Sequence, residues 1–73
     1  MTIIDLHGVK HDEVTRIITE ACARNKTPFI VITGKSDRMK RVVSFAAAKF
    51  DLKVRDAIDN PGRVVIDENH LDF

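Results

Sequence analysis

The chain has 73 residues, a formal net charge of +1 at pH 7 and a single cysteine. A chain this short forms one domain, buries only about 60% of the surface that its unfolded form exposes, and has little room for an enclosed substrate cavity. Because Cys22 is the only cysteine, an internal disulfide and a cysteine-rich zinc site are excluded. The absence of a long apolar run and of a basic leader predicts a soluble cytoplasmic protein without membrane contacts.

The first half of the sequence predicts a strand, a helix and a second strand. Residues 2–6 are largely apolar, and apolar residues recur at helical spacing over residues 11–25, with two acids in the first turn that suit the positive end of a helix. Pro28 marks the end of that helix. Phe29 to Ile32 is a continuous apolar run, which is typical of a strand buried on both faces.

The second half predicts a helix followed by a hairpin. Either Ser36 or Asp37 can cap the helix, which is expected to run to about Phe50. Its predicted buried stripe consists of Met39, Val42, Val43, Ala46 and Phe50. A third strand is predicted over residues 52–58, with one face formed by Leu52, Val54 and Ile58.

The sequence Asn60-Pro61-Gly62 predicts the turn of that hairpin. Proline and glycine at the two central positions favour a type II turn, and residues 63–67 then form the returning strand. The resulting order is β-α-β-α-β-β, and its two right-handed crossovers place both helices on one face of the sheet. We therefore expect the α/β class: a two-layer α/β sandwich with a four-stranded mixed sheet over residues 1–67, followed by an acidic tail over residues 68–73.

Two polar loops that contain glycine are expected at one edge of this sheet. The loops that follow two parallel strands emerge on the same side, where open α/β sheets bind their ligands. Here the first strand leads into Asp5-Leu6-His7-Gly8, and the second leads into Thr33-Gly34-Lys35-Ser36. This convergence is the main evidence in the sequence for a functional site.

The second of these loops has features of a phosphate site. Gly34 allows a sharp turn, and the N-terminus of the following helix offers free N–H groups to an anion. Lys35 and Arg38 add positive charge, and Lys40 and Arg41 lie within the next turn. The sequence is not a Walker motif, and a turn glycine followed by an ordinary helix cap is the alternative interpretation.

The charge pattern is uneven along the chain. Residues 35–63 carry eight basic and four acidic side chains, residues 1–34 are balanced, and the acidic residues dominate from 64 onward. A basic segment around one loop is consistent with a phosphate-binding surface. An ordinary solvated helix face explains the charges alone equally well.

Asp5 and His7 form the candidate catalytic pair. Alternation along a strand would point both side chains to the same side of the sheet. The carboxylate could then orient the imidazole as a general base, or both groups could ligate a divalent metal such as magnesium or manganese. A structural hydrogen bond is the alternative role for this pair.

The two motifs together resemble those of the small MutS-related (Smr) domain family. Ile4-Asp5-Leu6-His7-Gly8 resembles the family's LDLHG-type motif, and Thr33-Gly34-Lys35 resembles its TGxG motif, in the same order and at a similar distance. Ser36 stands where the family often has a second glycine. The resemblance covers residues 2–67 and implies a fold similar to the C-terminal domain of translation initiation factor 3.

The resemblance also implies a function. Many Smr domains are credited with nicking DNA or cleaving RNA, which would make Asp5 and His7 the catalytic or metal-contacting pair. The residues expected to contact nucleic acid through its phosphate backbone are Gly8, Thr33, Gly34, Lys35, Ser36, Arg38 and Arg41. Two other functions stay open: a nucleic-acid-binding module without catalysis, and a protein-interaction domain. Base stacking is expected only if Phe29 or Phe73 is exposed.

Overall fold

The computed structural model describes residues 2–69 and contains the six predicted elements in the predicted order. Their bounds are β1 Ile3–Asp5, α1 His11–Arg24, β2 Phe29–Ile32, α2 Asp37–Ala48, β3 Leu52–Ala57 and β4 Asn60–Glu68. The α/β class and the four-stranded mixed sheet are confirmed. β4 reaches one residue beyond the predicted domain boundary, and the remainder of the predicted tail, residues 70–73, lies outside the described residues, as does Phe73.

The strands are ordered β1-β2-β4-β3, with β1 parallel to β2 and with β4 antiparallel to both of its neighbours. Both βα units therefore cross over in the same direction along the sheet. Right-handed crossovers in one direction place their helices on the same face. α1 and α2 contact each other and share one hydrophobic core with that face of the sheet.

The core lies between the helices and one face of the sheet. Apolar residues at helical spacing bury Val14, Ile18 and Ala21 of α1, as predicted. From the sheet, the two central strands contribute alternate residues. The buried apolar residues are Leu6, Val14, Ile18, Ala21, Phe29, Val31, Met39, Val43, Ala46, Ala47, Val64 and Ile66. Cys22 packs against this core, and burial raises the pKa of its thiol, which supports a structural role.

The opposite face of the sheet is not covered by any element within residues 2–69. The prediction that β2 is buried on both faces is therefore wrong. Phe29 and Val31 are buried, whereas Ile30 and Ile32 alternate with them and are only half-buried. A two-layer sandwich has helices on one side only, so a continuous apolar run in this strand does not indicate two buried faces.

The hairpin turn lies three residues earlier than the sequence predicts. The two-residue turn is formed by Ile58 and Asp59, because Ala57 of β3 pairs with Asn60 of β4. The predicted type II turn at Pro61 and Gly62 is wrong. The predicted place of Ile58 in the third strand, on one face with Leu52 and Val54, is also wrong: β3 ends at Ala57, and the Ile58 side chain is 99% exposed at the tip of the hairpin.

The residues of the predicted turn form an irregular part of β4 instead. The next pair in the β3–β4 ladder joins Asp56 to Val64, so residues 61–63 have no counterpart on β3. Bulges are among the few places where a sheet accepts proline, and glycine in a strand often marks one. The proline and glycine that predicted a turn therefore lie in a bulge of β4.

α2 ends earlier than its apolar pattern predicts. The helix stops at Ala48, and Phe50 lies beyond it with an exposed side chain, so Phe50 is not part of the buried stripe. Asp51 follows in a left-handed conformation, with a φ of 58°, and leads the chain into β3. Asp is among the few residue types that adopt this conformation readily.

No helix within residues 2–69 has both the length and the apolar character needed to span a bilayer.

Candidate nucleic-acid interface

The loops that follow β1 and β2 lie side by side at one edge of the sheet. The last pair of the parallel ladder joins Asp5 to Ile32, so His7 and Gly34 each lie two residues beyond it. The ladder is extended by a hydrogen bond from the Leu6 N–H to the Ile32 carbonyl, at 2.9 Å. The predicted convergence of the two loops is therefore present in the structure.

The first loop is a tight turn from Leu6 to Val9. The Val9 N–H donates to the Leu6 carbonyl at 3.0 Å, and Gly8 has a φ of 77° while His7 is not in the left-handed region. A positive φ at the second central residue alone is the pattern of a type II turn, with His7 and Gly8 at its central positions. Leu6 is buried and Val9 packs against the core, so the turn directs His7 and Gly8 into solvent.

The Asp5 carboxylate contacts the backbone of His7, not its ring. The His7 N–H donates to Asp5 Oδ1 at 2.8 Å. Because β1 ends at Asp5, His7 belongs to the turn, and the alternation expected for a longer strand does not reach it. The described residues include no hydrogen bond or ion pair between the Asp5 carboxylate and the imidazole. Asp5 thus fixes the turn that carries His7.

A metal site at this pair would have only two ligands from the chain. Residues 2–69 contain no group of three His, Cys, Asp or Glu side chains that could hold a metal ion. Asp5 Oδ2 and a ring nitrogen of His7 are the donors available. Such a sparse set fits only a Mg²⁺-type ion that takes most of its ligands from water and from substrate phosphates.

The second loop is fixed by the irregular segment of β4. The N–H groups of Thr33 and Gly34 both donate to the Gly62 carbonyl at 3.0 Å. The Thr33 hydroxyl donates to the Gly34 carbonyl at 2.8 Å, and Thr33 is only 5% exposed. Thr33 therefore shapes the loop from within, whereas the sequence predicted it among the residues that contact nucleic acid.

Gly62 is the site residue that the sequence analysis missed. A Cβ atom at this position would lie 3.3 Å from Asn60 Oδ1 of the same strand and 3.6 Å from the Gly34 Cα, so β4 and the loop are in van der Waals contact here. The Asn60 side chain also accepts a hydrogen bond from the Gly62 N–H at 2.9 Å. Glycine within a strand often marks the approach of another backbone, but the pattern Asn60-Pro61-Gly62 predicted a hairpin turn at this glycine instead.

Open space lies over the two loop glycines. Gly8 and Gly34 have positive φ values of 77° and 68°, and a Cβ built on either would meet no described atom within 4 Å. Glycine is needed at both positions because of backbone conformation and not because of crowding. A ligand can therefore approach the backbone closely at both turns.

Ser36 is the N-cap of α2, one of the two residues that the sequence offered for this role. Its Oγ accepts a hydrogen bond from the Met39 N–H at 3.1 Å. The Ser36 hydroxyl donates no hydrogen bond within the described residues and is available to donate to a ligand. The backbone N–H groups of the first helical turn and the positive end of the helix dipole face the same loop.

The basic side chains around this loop divide into two groups. Lys40 Nζ lies 3.2 Å from Asp56 Oδ1 of β3, and the Lys40 side chain is only 19% exposed, so its charge is used within the protein. Lys35, Arg38 and Arg41 are exposed and form no ion pair within residues 2–69. These three cations are available to an anionic partner.

No family model, curated protein or solved structure matches the chain.

Proposed function

We propose that this domain binds nucleic acid through the phosphate backbone at the edge formed by the two glycine turns and the start of α2. The observation that carries the proposal is that Lys35, Arg38 and Arg41 are exposed and lack ion-pair partners within residues 2–69, beside a loop with open backbone. Three cations and a helix N-terminus favour a partner with repeated negative charges.

The open shape of this edge favours a polymer over a small metabolite. Both turns lie at the surface, and the glycines have free space above them. A polyanion that crosses the edge could contact Lys35 and Arg38 with one phosphate and Arg41 with another. Association should weaken steeply with added salt, because each phosphate contact releases counterions.

Charge reversal at the edge tests this proposal. The double variant Lys35→Glu/Arg38→Glu should bind a labelled oligonucleotide at least tenfold more weakly than the wild type in fluorescence anisotropy. Arg16→Glu/Arg24→Glu on α1 is the matched control, since it changes the net charge equally and should cost much less. Equal losses in the two variants would contradict a localised site.

A second candidate function is phosphodiester cleavage, as in an endonuclease of the Smr type. It is supported by the two Smr-like motifs and by the position of His7, whose turn holds the imidazole in solvent next to the Gly34 loop. In this reaction His7 takes a proton from water or from a ribose 2′-hydroxyl as that oxygen attacks phosphorus, the bond from phosphorus to the leaving backbone oxygen breaks, and that oxygen receives a proton from solvent. Asp5 is a positioning residue, because it contacts the His7 amide.

His7→Ala separates cleavage from binding. It should abolish cleavage of labelled structured RNA or supercoiled plasmid, while binding in anisotropy changes by less than about threefold, because the imidazole is exposed and holds no other group. His11→Ala, at the start of α1, is the control. Undiminished cleavage by His7→Ala would remove the catalytic assignment, and binding without cleavage by the wild type would leave a binding module. Reactions with EDTA show whether a metal ion is required.

A further inference from the structure

We propose that the outer face of α2 binds a single-stranded segment of nucleic acid, with Phe45 as the residue that stacks on an unpaired base. This inference rests on the proposed function and specifies its partner. It extends the interface from the Gly34 loop along the helix and predicts a preference for unpaired nucleotides.

Phe45 continues the line of free cations along α2. Arg38, Arg41 and Phe45 are separated by three and four residues, so they lie on one side of the helix within about 60° of each other. Two turns of helix place Phe45 about 10 Å beyond Arg38 along the axis. That length corresponds to about three nucleotides at the spacing of a stacked strand.

The exposure of Phe45 has no explanation in the packing of the domain. Its side chain is 75% exposed, while the buried side of α2 is formed by Met39, Val43, Ala46 and Ala47. Together with Arg41, Ser44 and Ala48, it borders a shallow, mainly apolar depression on the surface. A large aromatic side chain in water, next to arginines that form no ion pair within residues 2–69, is suited to a flat ligand that carries negative charge.

Nucleotides match both the aromatic and the cationic character of this exposed stripe, which consists of Arg38, Arg41 and Phe45. Bases stack on aromatic side chains whatever their sequence, and the adjoining phosphates pair with Lys or Arg. A duplex would present only its phosphates here, because its base faces are already stacked. Acidic side chains are scarce on the stripe: Asp37, in the first helical turn, is the only one in α2. The sequence pointed to Phe29 or Phe73 as stacking candidates, but Phe29 is fully buried.

The first test compares single-stranded and duplex probes. The wild type should bind a labelled 12-nucleotide oligouridylate, and an oligothymidylate of the same length, more tightly than a 12-base-pair duplex. Phe45→Ala should weaken binding of the single strands about tenfold and leave duplex binding within about twofold. Ile58→Ala, which removes an even more exposed apolar side chain at the hairpin tip, should change neither.

A tryptophan in place of Phe45 reports stacking directly through its fluorescence, which would not change on binding if Phe45 had only a structural role. The chain contains no Trp or Tyr, so Phe45→Trp introduces a single fluorophore, and stacking should quench its emission as the oligonucleotide is added. Binding that is unaffected by Phe45→Ala but lost in Lys35→Glu/Arg38→Glu would overturn the stacking inference and keep the proposed function. Failure of the wild type to bind any of the probes would overturn both, and a protein partner that requires Phe45 would then assign the surface to protein binding.

Discussion

The two helices pack against the same core, but their outer faces differ. On α1 the charges neutralise each other: Arg16 Nε lies 3.0 Å from Glu13 Oε2, and Arg24 Nη1 lies 3.3 Å from Glu20 Oε1. On α2 only one of the basic residues has a partner within the described residues, and that partner is on β3. The outer face of α1 therefore carries ion-paired charges, whereas that of α2 carries cations that have no ion-pair partner within the described residues.

Both the number and the pairing of the charges distinguish the two surfaces: α1 carries two arginines and three acidic residues, whereas α2 carries three basic residues and one acidic residue. The formal net charge of +1 predicts no partner. Exposed ion pairs at helical spacing contribute only about 0.3–0.5 kcal/mol each to stability. Their consequence on α1 is electrostatic, because each arginine meets a carboxylate before it can meet a phosphate. On α2 the same type of side chain remains available.

The largest expected effect concerns the salt dependence of binding. Arg38→Gln/Arg41→Gln should make the negative slope of log K against log salt concentration shallower by about 1.5, since each lost phosphate contact removes roughly 0.7–0.9 from its magnitude. Anisotropy titrations at several salt concentrations measure this slope.

The matched change on α1, Arg16→Gln/Arg24→Gln, should leave the slope within about 0.3 of the wild-type value, since these arginines make no phosphate contact. If both double variants made the slope shallower by the same amount, the distinction between the two helix surfaces would be lost.

A smaller effect is expected from the N-cap of α2. Ser36→Ala removes the acceptor for the Met39 N–H and should lower the free energy of unfolding by about 1 kcal/mol, measured by urea denaturation. Ser44→Ala, on the exposed side of the same helix, is the control. It should be neutral or slightly stabilising, because alanine is the better helix former. Equal losses would show that the hydroxyl at position 36 does not act as a cap.

The smallest effect is expected at the start of α1. Lys10 occupies its N-cap position with a suitable extended backbone but makes no side-chain capping hydrogen bond within the described residues. Lys10→Ser should raise the free energy of unfolding by about 0.5 kcal/mol, since Glu13 lies at the third helical position and completes a capping box. Lys26→Ser, in the loop before β2, should bring no gain. A loss of stability in Lys10→Ser would show that this turn does not accept the cap.

The convergence of the two loops could be predicted from the sequence, but the contacts within them could not. Parallel strands joined by right-handed crossovers bring Asp5 and Gly34 to one edge whatever the details. The role of Asp5 depends on where β1 ends, and an edge strand of three residues ends before its alternation can place the imidazole of His7. The contact between the carboxylate and the His7 amide follows from that ending.

The sequence by itself determined the order of the elements and the bounds of β2, because these depend on local periodicity. It limited the cap of α2 to Ser36 or Asp37, which both have a suitable side-chain oxygen. Tertiary structure decided the hairpin. Asn60-Pro61-Gly62 has the local chemistry of a turn, yet the carbonyl of Gly62 accepts two hydrogen bonds from Thr33 and Gly34, and this long-range contact keeps the segment in β4. Tertiary structure also decided that Phe45 faces solvent, because one side of α2 fills the core and no element within residues 2–69 covers the side that carries Phe45.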